Sequence, residues 1–224
     1  GTVHYGVGYE NAFWNGAQMV FGDGDGEIFN RFTLSLDVVA HELAHGIIES
    51  EAGLLYSDQS GALNESLSDV FGVLVKQFSL QQTAQQADWL IGAELLTDKV
   101  KGSALRSMAN PGSAYDDPLL GKDPQPAHMR DFIDTRDDNG GVHLNSGIPN
   151  HAFYLAAQAL GGYAWDKAGR IWYDTLCDRR LAKDADFIAF ANLTSENAMI
   201  RFGAGSSEAQ AVRRAWVDVG VLVR

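Results

Sequence analysis

The sequence predicts an α+β fold in which a β-rich N-terminal part leads into helices that continue to the C-terminus. Three observations predict it. Residues 1 to 36 are rich in Gly and aromatics and hold short β-like runs; from Asp37 onward apolar residues recur at helical spacing; and all five prolines (Pro111, Pro118, Pro124, Pro126, Pro149) fall between two groups of helical segments. The division is therefore placed at 1-36 and 37-224.

Within the first part, Gln18-Met19-Val20-Phe21 reads as a strand ended by Gly22-Asp23-Gly24-Asp25-Gly26. That run reads as a tight turn. The twelfth position counted from Asp23 is Leu34 where a calcium loop needs Glu, and no Gly-Lys-Ser/Thr follows as a phosphate loop would need. A helix is predicted from Asp37 to about Glu51, stopped by Gly53, and a second from about Gly61 to Phe78, with Leu63, Leu67, Val70, Phe71, Leu74 and Phe78 on one face. The proline-bearing stretch is a long irregular excursion. Helices then follow at Asn150 to Leu160, Trp165 to Arg180, Asp186 to Phe202 and Ser207 to Val219, the second carrying Trp165, Ala168, Ile171, Trp172 and Leu176.

A chain of 224 residues is long enough to bury roughly 70 % of its unfolded surface without staples. Net charge of −12 argues against nucleic acid or an anionic membrane as partner, and no run of 18 apolar residues is present. The single cysteine, Cys177, excludes an intrachain disulfide and reads as a small buried hydrophobe beside Trp172 and Leu176.

The chemistry resides in His41-Glu42-Leu43-Ala44-His45. On a helix His41 and His45 project from one face a turn apart, close enough to share one metal ion, while Glu42 points to a neighbouring side and can reach a metal-bound water as a base. This is the H-E-x-x-H zinc signature. Two imidazoles leave the ion short of a ligand, and Asn64-Glu65-Ser66-Leu67-Ser68-Asp69 follows on the next helix. Glu65 and Asp69 are again four apart, so one carboxylate can bind the metal while the other accepts the spare N–H of a ligand histidine. The expectation is one zinc on His41, His45 and Glu65, with Asp69 orienting His41.

These residues, with Ala52-Gly53-Leu54-Leu55-Tyr56 and Ser60-Gly61-Ala62-Leu63, resemble the thermolysin family of bacterial zinc metallopeptidases. The blocks YENAFWNG (Tyr9 to Gly16), GDGDG and DNGGVHLNSGI (Asp138 to Ile148) match in the family's order. The run Asn150-His151-Ala152-Phe153-Tyr154-Leu155 and the Pro-rich segment before Asp138 look most like the protealysin-like subgroup. The resemblance covers essentially the whole chain. It implies a β-rich N-terminal lobe of which residues 1-36 are the remnant, since relatives carry on the order of a hundred further residues before the YENAFWNG block.

The resemblance also implies a neutral endopeptidase that cleaves on the amino side of bulky hydrophobic residues through a zinc-bound water activated by Glu42. Tyr56 and His143 would donate to the oxyanion, with Asp138 holding the ring of His143; Asn139-Gly140-Gly141 between them is turn-prone and can fold the two together. Asn11, Ala12 and Trp14 would lie on an edge strand that pairs with an extended substrate, and Arg106 would hold a substrate carbonyl. Phe29, Phe32, Val38, Ile91, Leu95 and Leu105 map to the wall of the pocket that receives the residue after the cut. The other expected features are a peptide or protein substrate, an inhibitory pro-segment and secretion from a bacterium.

One position departs from the family pattern. The family's double calcium site is built from carboxylates; two match Asp37 and Asp88, while others hold Lys76, Leu90 and Ala93. A lysine ammonium in place of a bridging carboxylate makes the pair of cations untenable, so the site is expected to be absent with Lys76 in its place. Two rival readings are a catalytically inactive zinc-binding interaction domain and an aminopeptidase. Intact Glu42, Tyr56 and His143 speak against the first, and the lack of any motif to capture a free amine speaks against the second.

Overall fold

The computed structural model describes residues 1–223. At the N-terminal end β1 (Ala12–Trp14) pairs antiparallel with β2 (Met19–Phe21) in the register Ala12 to Phe21, Phe13 to Val20 and Trp14 to Met19. Thr2 bridges to Val20 on the far side of β2, so β1 is the edge strand among the described residues. The GDGDG run is a turn: Asp25 Oδ1 accepts the backbone N–H groups of Glu27, Ile28 and Phe29.

α1 (Leu36–Glu51) and α2 (Asp58–Leu80) form the scaffold of the molecule. α1 stops as expected: Ala52 and Gly53 both donate to the Ile48 carbonyl. The two helices approach closely because Gly72 carries no side chain; a Cβ there would sit 2.5 Å from the Asp37 carbonyl oxygen. α2 is the central element. Every residue from Ser60 to Val70 is buried, although Ser60, Asn64, Glu65, Ser66, Ser68 and Asp69 are polar. Polar groups are retained in such a place when they find partners: Ser60 donates to the Leu55 and Ser57 carbonyls, while the partners of Asn64, Glu65, Ser68 and Asp69 belong to one site.

Between α2 and the later helices the chain runs through two two-residue ladders, β3 (Leu90–Ile91) with β4 (Arg106–Ser107) and β5 (Asp116–Asp117) with β6 (Gly121–Lys122). Then come α3 (Asp138–Asn145), α4 (Gly147–Leu160), α5 (Ala168–Leu176), α6 (Phe187–Phe202) and α7 (Ser207–Asp218). Trp172 and Trp216 stack at 6.0 Å, with Phe153 edge-on to Trp172 at 5.1 Å, in the core that joins α4, α5 and α7. Among the described residues no helix is long and apolar enough to cross a membrane.

Several sequence expectations shift. α4 starts three residues early, because Pro149 sits in its first turn, where a missing N–H costs nothing. α5 is shorter than Trp165 to Arg180: Trp165 lies in the preceding turn, stacked on Tyr163 at 4.4 Å, and Arg180 folds back onto Asp178 beyond the helix. Cys177 is exposed, contrary to expectation. It falls four residues after Tyr173 on the solvent side of α5, whereas Ile171, Trp172 and Leu176 point inward. Phe78 is 60 % exposed; at the end of α2 its ring meets Trp165 and otherwise faces solvent.

Candidate metal centre

His41 and His45 come from α1 and Glu65 from α2, and one ligating atom from each lies within 4.8 Å of the others. The separations are specific. Nε2 of His41 is 3.4 Å from Glu65 Oε2, Nε2 of His45 is 3.4 Å from Glu65 Oε1, and the two Nε2 atoms are 3.0 Å apart. Bonds of about 2.0–2.1 Å to a tetrahedral zinc place ligand atoms about 3.3 Å apart, so this set fits zinc in donor type and spacing. The three residues form a single zinc-binding site.

Each imidazole is held by its other nitrogen. His41 Nδ1 lies 2.8 Å from Asp69 Oδ1. His45 Nδ1 lies 2.8 Å from Asn64 Oδ1 and 3.1 Å from Ser68 Oγ. With Nδ1 protonated, both rings turn Nε2 toward Glu65. Burial would lower both histidines, but the hydrogen bonds of His41 to Asp69 and Glu65 outweigh it and carry His41 up to about 10. Burial, together with the His41 charge alongside, holds His45 down to about 4. The Glu65 carboxyl stays well below the usual carboxylate range because the bond to His41 and the charges around it overcome its complete burial.

Asp69 is wholly buried and accepts more than the His41 bond. Arg106 from β4 reaches it with Nε at 2.8 Å and Nη2 at 2.6 Å, and the Asn150 side chain of α4 donates at 2.9 Å. Despite burial, the Arg106 charge and the His41 bond hold Asp69 far below its ordinary value.

Above this centre lies a cleft of about 540 Å³. Glu42, on α1 between the two histidines, is buried at its wall, and that burial raises its carboxyl above the ordinary range. Tyr56 donates its hydroxyl to Glu65 and lies 3.3 Å from His143 Nε2. Its phenol is pushed up by burial and by the Glu65 charge, so it remains a neutral donor. Asp138 Oδ1 faces His143 Nδ1 at 2.6 Å.

Asn11, Ala12 and Trp14 line the cleft along β1. Gly46 leaves room for the Trp14 indole on α1, whose Nε1 donates to Glu49 at 3.0 Å, and Asn11 Oδ1 accepts the Ala12 N–H at 2.9 Å. Of the six apolar residues expected at the pocket wall, Phe32, Val38 and Leu105 line it. The other three stand behind: Ile91 and Leu95 are fully buried in the core, and Phe29 packs on Phe32 at 5.6 Å. Asn64, Ser68 and Asn150 were not singled out from sequence. Asn64 precedes Glu65 in the motif and its type allows an acceptor for His45, whereas nothing near Asn150 in the sequence points to Asp69.

Lys76 Nζ lies 3.1 Å from Asp37 Oδ2, 3.2 Å from Asp88 Oδ2 and 3.1 Å from the Leu90 carbonyl, at the start of α1.

Comparison with known proteins agrees with this architecture. The family profile of the thermolysin metallopeptidase catalytic domain matches residues 1–49, and that of its alpha-helical domain matches residues 52–221. An extracellular metalloprotease of Pectobacterium carotovorum is 68% identical over 224 residues, covering 100% of this chain and 64% of the relative. Protease PrtS of a Photorhabdus strain is 57% identical, again over 100% of this chain and 60% of the relative. This chain therefore spans less than two thirds of the length of these relatives. The solved structure of the precursor of protealysin, a metalloproteinase from Serratia proteamaculans, superposes with a TM-score of 0.96 at 70% identity, covering 98% of this chain and 68% of that one. With the paired histidines, the glutamate and both profiles in register along it, the chain belongs to the thermolysin family of metallopeptidases.

Proposed function

We propose that this chain carries the catalytic centre of a zinc-dependent endopeptidase that hydrolyses peptide bonds on the amino side of bulky hydrophobic residues. The observation that carries the reading is the placement of Glu42, Tyr56 and His143 around one zinc site at the floor of one cleft. When bound, zinc acidifies a water and polarises the scissile carbonyl. Glu42, with a raised pKa, accepts the proton from the attacking water and passes it to the leaving amine. Tyr56 and His143 donate to the oxyanion, and Asp138, bonded to Nδ1, holds the His143 ring so that Nε2 faces the cleft.

Substrate would lie extended along the open edge of β1, held by backbone pairing and by Asn11. Arg106 already spends two donors on Asp69, so it would offer its remaining ones to a substrate carbonyl. The apolar wall of Phe32, Val38 and Leu105 favours a large hydrophobic residue just after the cut. Export from a bacterial cell and control by a pro-segment are further parts of the proposal. The relative named as extracellular and the structure described as a precursor support them. The calcium pair is proposed to be absent, with Lys76 between Asp37 and Asp88.

The test is hydrolysis of a peptide blocked at both ends, with Phe or Leu after the cut, by zinc-loaded protein. Cleavage before the hydrophobic residue, abolished by a chelator and restored by zinc, is the expected result. Zinc binding without cleavage would point to an inactive binding domain instead.

A further inference from the structure

We infer that Asn150 is a positioning residue for the zinc site, acting through Asp69 on the ligand His41. The inference rests on the zinc-site reading above and extends it to a residue on another helix. Asp69 has four hydrogen-bond donors divided evenly between its oxygens. Oδ1 takes His41 Nδ1 at 2.8 Å and Arg106 Nη2 at 2.6 Å; Oδ2 takes Arg106 Nε at 2.8 Å and Asn150 Nδ2 at 2.9 Å.

Arg106 alone, gripping both oxygens as a fork, would fix the carboxylate in the guanidinium plane but would leave the pair free to tilt as a unit. Asn150 supplies a donor from α4, off a separate element, and removes that freedom. The plane of the Asp69 carboxylate is thereby set, and with it the direction in which His41 turns Nε2 toward His45 and Glu65.

The chemistry of Asn150 itself supports the assignment. It is fully buried, and among the described residues its side-chain oxygen has no hydrogen-bond partner. Among the described residues the bond to Asp69 is the one side-chain hydrogen bond this amide makes. A leucine, with the same number and branching of side-chain heavy atoms, would suit this apolar helix beside Ala152, Phe153 and Ala156 without leaving a buried carbonyl unpaired. A polar group kept at such a cost is explained by the one contact it makes. That contact leads to the metal ligand.

The experiment compares wild type with Asn150→Leu by competition for zinc against a chromophoric chelator at neutral pH, alongside thermal melts of metal-free protein and the visible spectrum of the cobalt-loaded forms. Loss of an outer hydrogen bond on a ligand histidine weakens metal binding by about 10- to 100-fold; one step further out, N150L is expected to weaken zinc by about 3- to 10-fold. Its metal-free melting temperature should be unchanged or higher, and its cobalt bands should shift as the His41 ring tilts. Zinc affinity within twofold of wild type with an unshifted cobalt spectrum would overturn the inference. So would a loss of affinity matched by a fall in the metal-free melting temperature, which marks a packing role only. Should N150L fail to fold, Asn150→Ser carries the same expectations for zinc affinity and the cobalt spectrum, because its short hydroxyl cannot span to Asp69; its melting temperature is not compared, since the truncation leaves a cavity at a buried position. Failure of wild type to bind zinc would instead overturn the metal-site reading.

Discussion

Asp138 holds His143 at two points: its Oδ2 accepts the His143 backbone N–H at 2.8 Å, and its Oδ1 faces Nδ1 at 2.6 Å. Two bonds from one carboxylate to a residue five positions later require the chain to double back within a single turn. It does so through four successive left-handed residues, Asp138, Asn139, Gly140 and Gly141, with φ of 53°, 52°, 88° and 75°. Each left-handed residue with a Cβ costs about 1–2 kcal/mol, so the two glycines halve the strain of the turn that aims His143 into the cleft.

Gly140→Ala is therefore expected to damage the site as well as the fold. A Cβ there would lie 2.4 Å from Asp58 Oδ1 and 3.0 Å from the Asp58 backbone nitrogen at the start of α2. Destabilisation of about 1–3 kcal/mol is expected, as for forced strain at a special backbone position. kcat should fall more than KM rises. Urea unfolding together with steady-state kinetics tests both parts, and a variant with lost stability but intact kcat would separate the turn from the orientation of His143.

The zinc trio was legible because both of its halves are local. Spacing of four on a helix puts His41 beside His45 and Glu65 in line with Asp69 whatever the rest of the chain does. Asn139-Gly140-Gly141 likewise announced a turn, though not four left-handed residues in succession. What sequence could not separate were roles that the same residue type can fill. Ile91 and Leu95 are as apolar as Leu105, yet they back the pocket while Leu105 faces it. Cys177 was misplaced because the residue after an apolar stretch points in or out according to a helix end that periodicity fixes only to within a few residues. Asn150 lies eighty-one residues from Asp69, and no local pattern connects them.

Metal binding and chemistry should come apart on mutation. Glu65→Ala removes a ligand from the trio and is expected to lose stoichiometric zinc, whereas Asp69→Ala should keep the ligands but weaken binding by about 10- to 100-fold. Glu42→Gln should retain zinc and lose peptidase activity. Full zinc occupancy of the Glu65 variant by elemental analysis would remove Glu65 from the site.

The oxyanion donor has its own kinetic signature. His143→Ala is expected to cost about 100- to 1,000-fold in kcat with little change in KM, because the bond to the oxyanion forms only in the transition state. An effect confined to KM would move His143 from chemistry to substrate binding.

The pocket wall divides by burial in a way that substitutions can read. Leu105 lines the cleft, so Leu105→Ala should change the preference among Phe, Leu and Ala after the cut. Leu95→Ala opens a cavity behind the wall and is expected to cost about 2–5 kcal/mol of stability. Its ranking of substrates should stay as in wild type; a changed ranking would show that the wall collapses into the space vacated.

The start of α1 is tied to α2 by a charge pair between Asp37 and Lys76. Asp37 is fully buried and Lys76 is 7 % exposed, and the ammonium also reaches Asp88. Burial pushes the Lys76 ammonium down, but the charges of Asp37 and Asp88 overcome it, so its pKa is raised above 10.5. A lysine with a raised folded-state pKa contributes stability that is fully present below its unfolded value near 10.4 and is lost as pH rises through the folded value. Lys76→Met fills the space but leaves Asp37 buried without its cation, which is expected to cost about 3 kcal/mol at neutral pH. The gap between wild type and K76M should hold steady from pH 7 to 9, begin to narrow only above the unfolded value near 10.4, and close as pH rises through the raised folded value of Lys76. Calcium should not raise the melting temperature of wild type, because a lysine at the centre of the carboxylates adds positive charge where the ion would need negative. A large calcium-dependent rise in wild-type melting temperature that saturates at two ions would restore the double site. A gap unchanged at alkaline pH would show that Lys76 supports the helix by packing of its stem and not by charge.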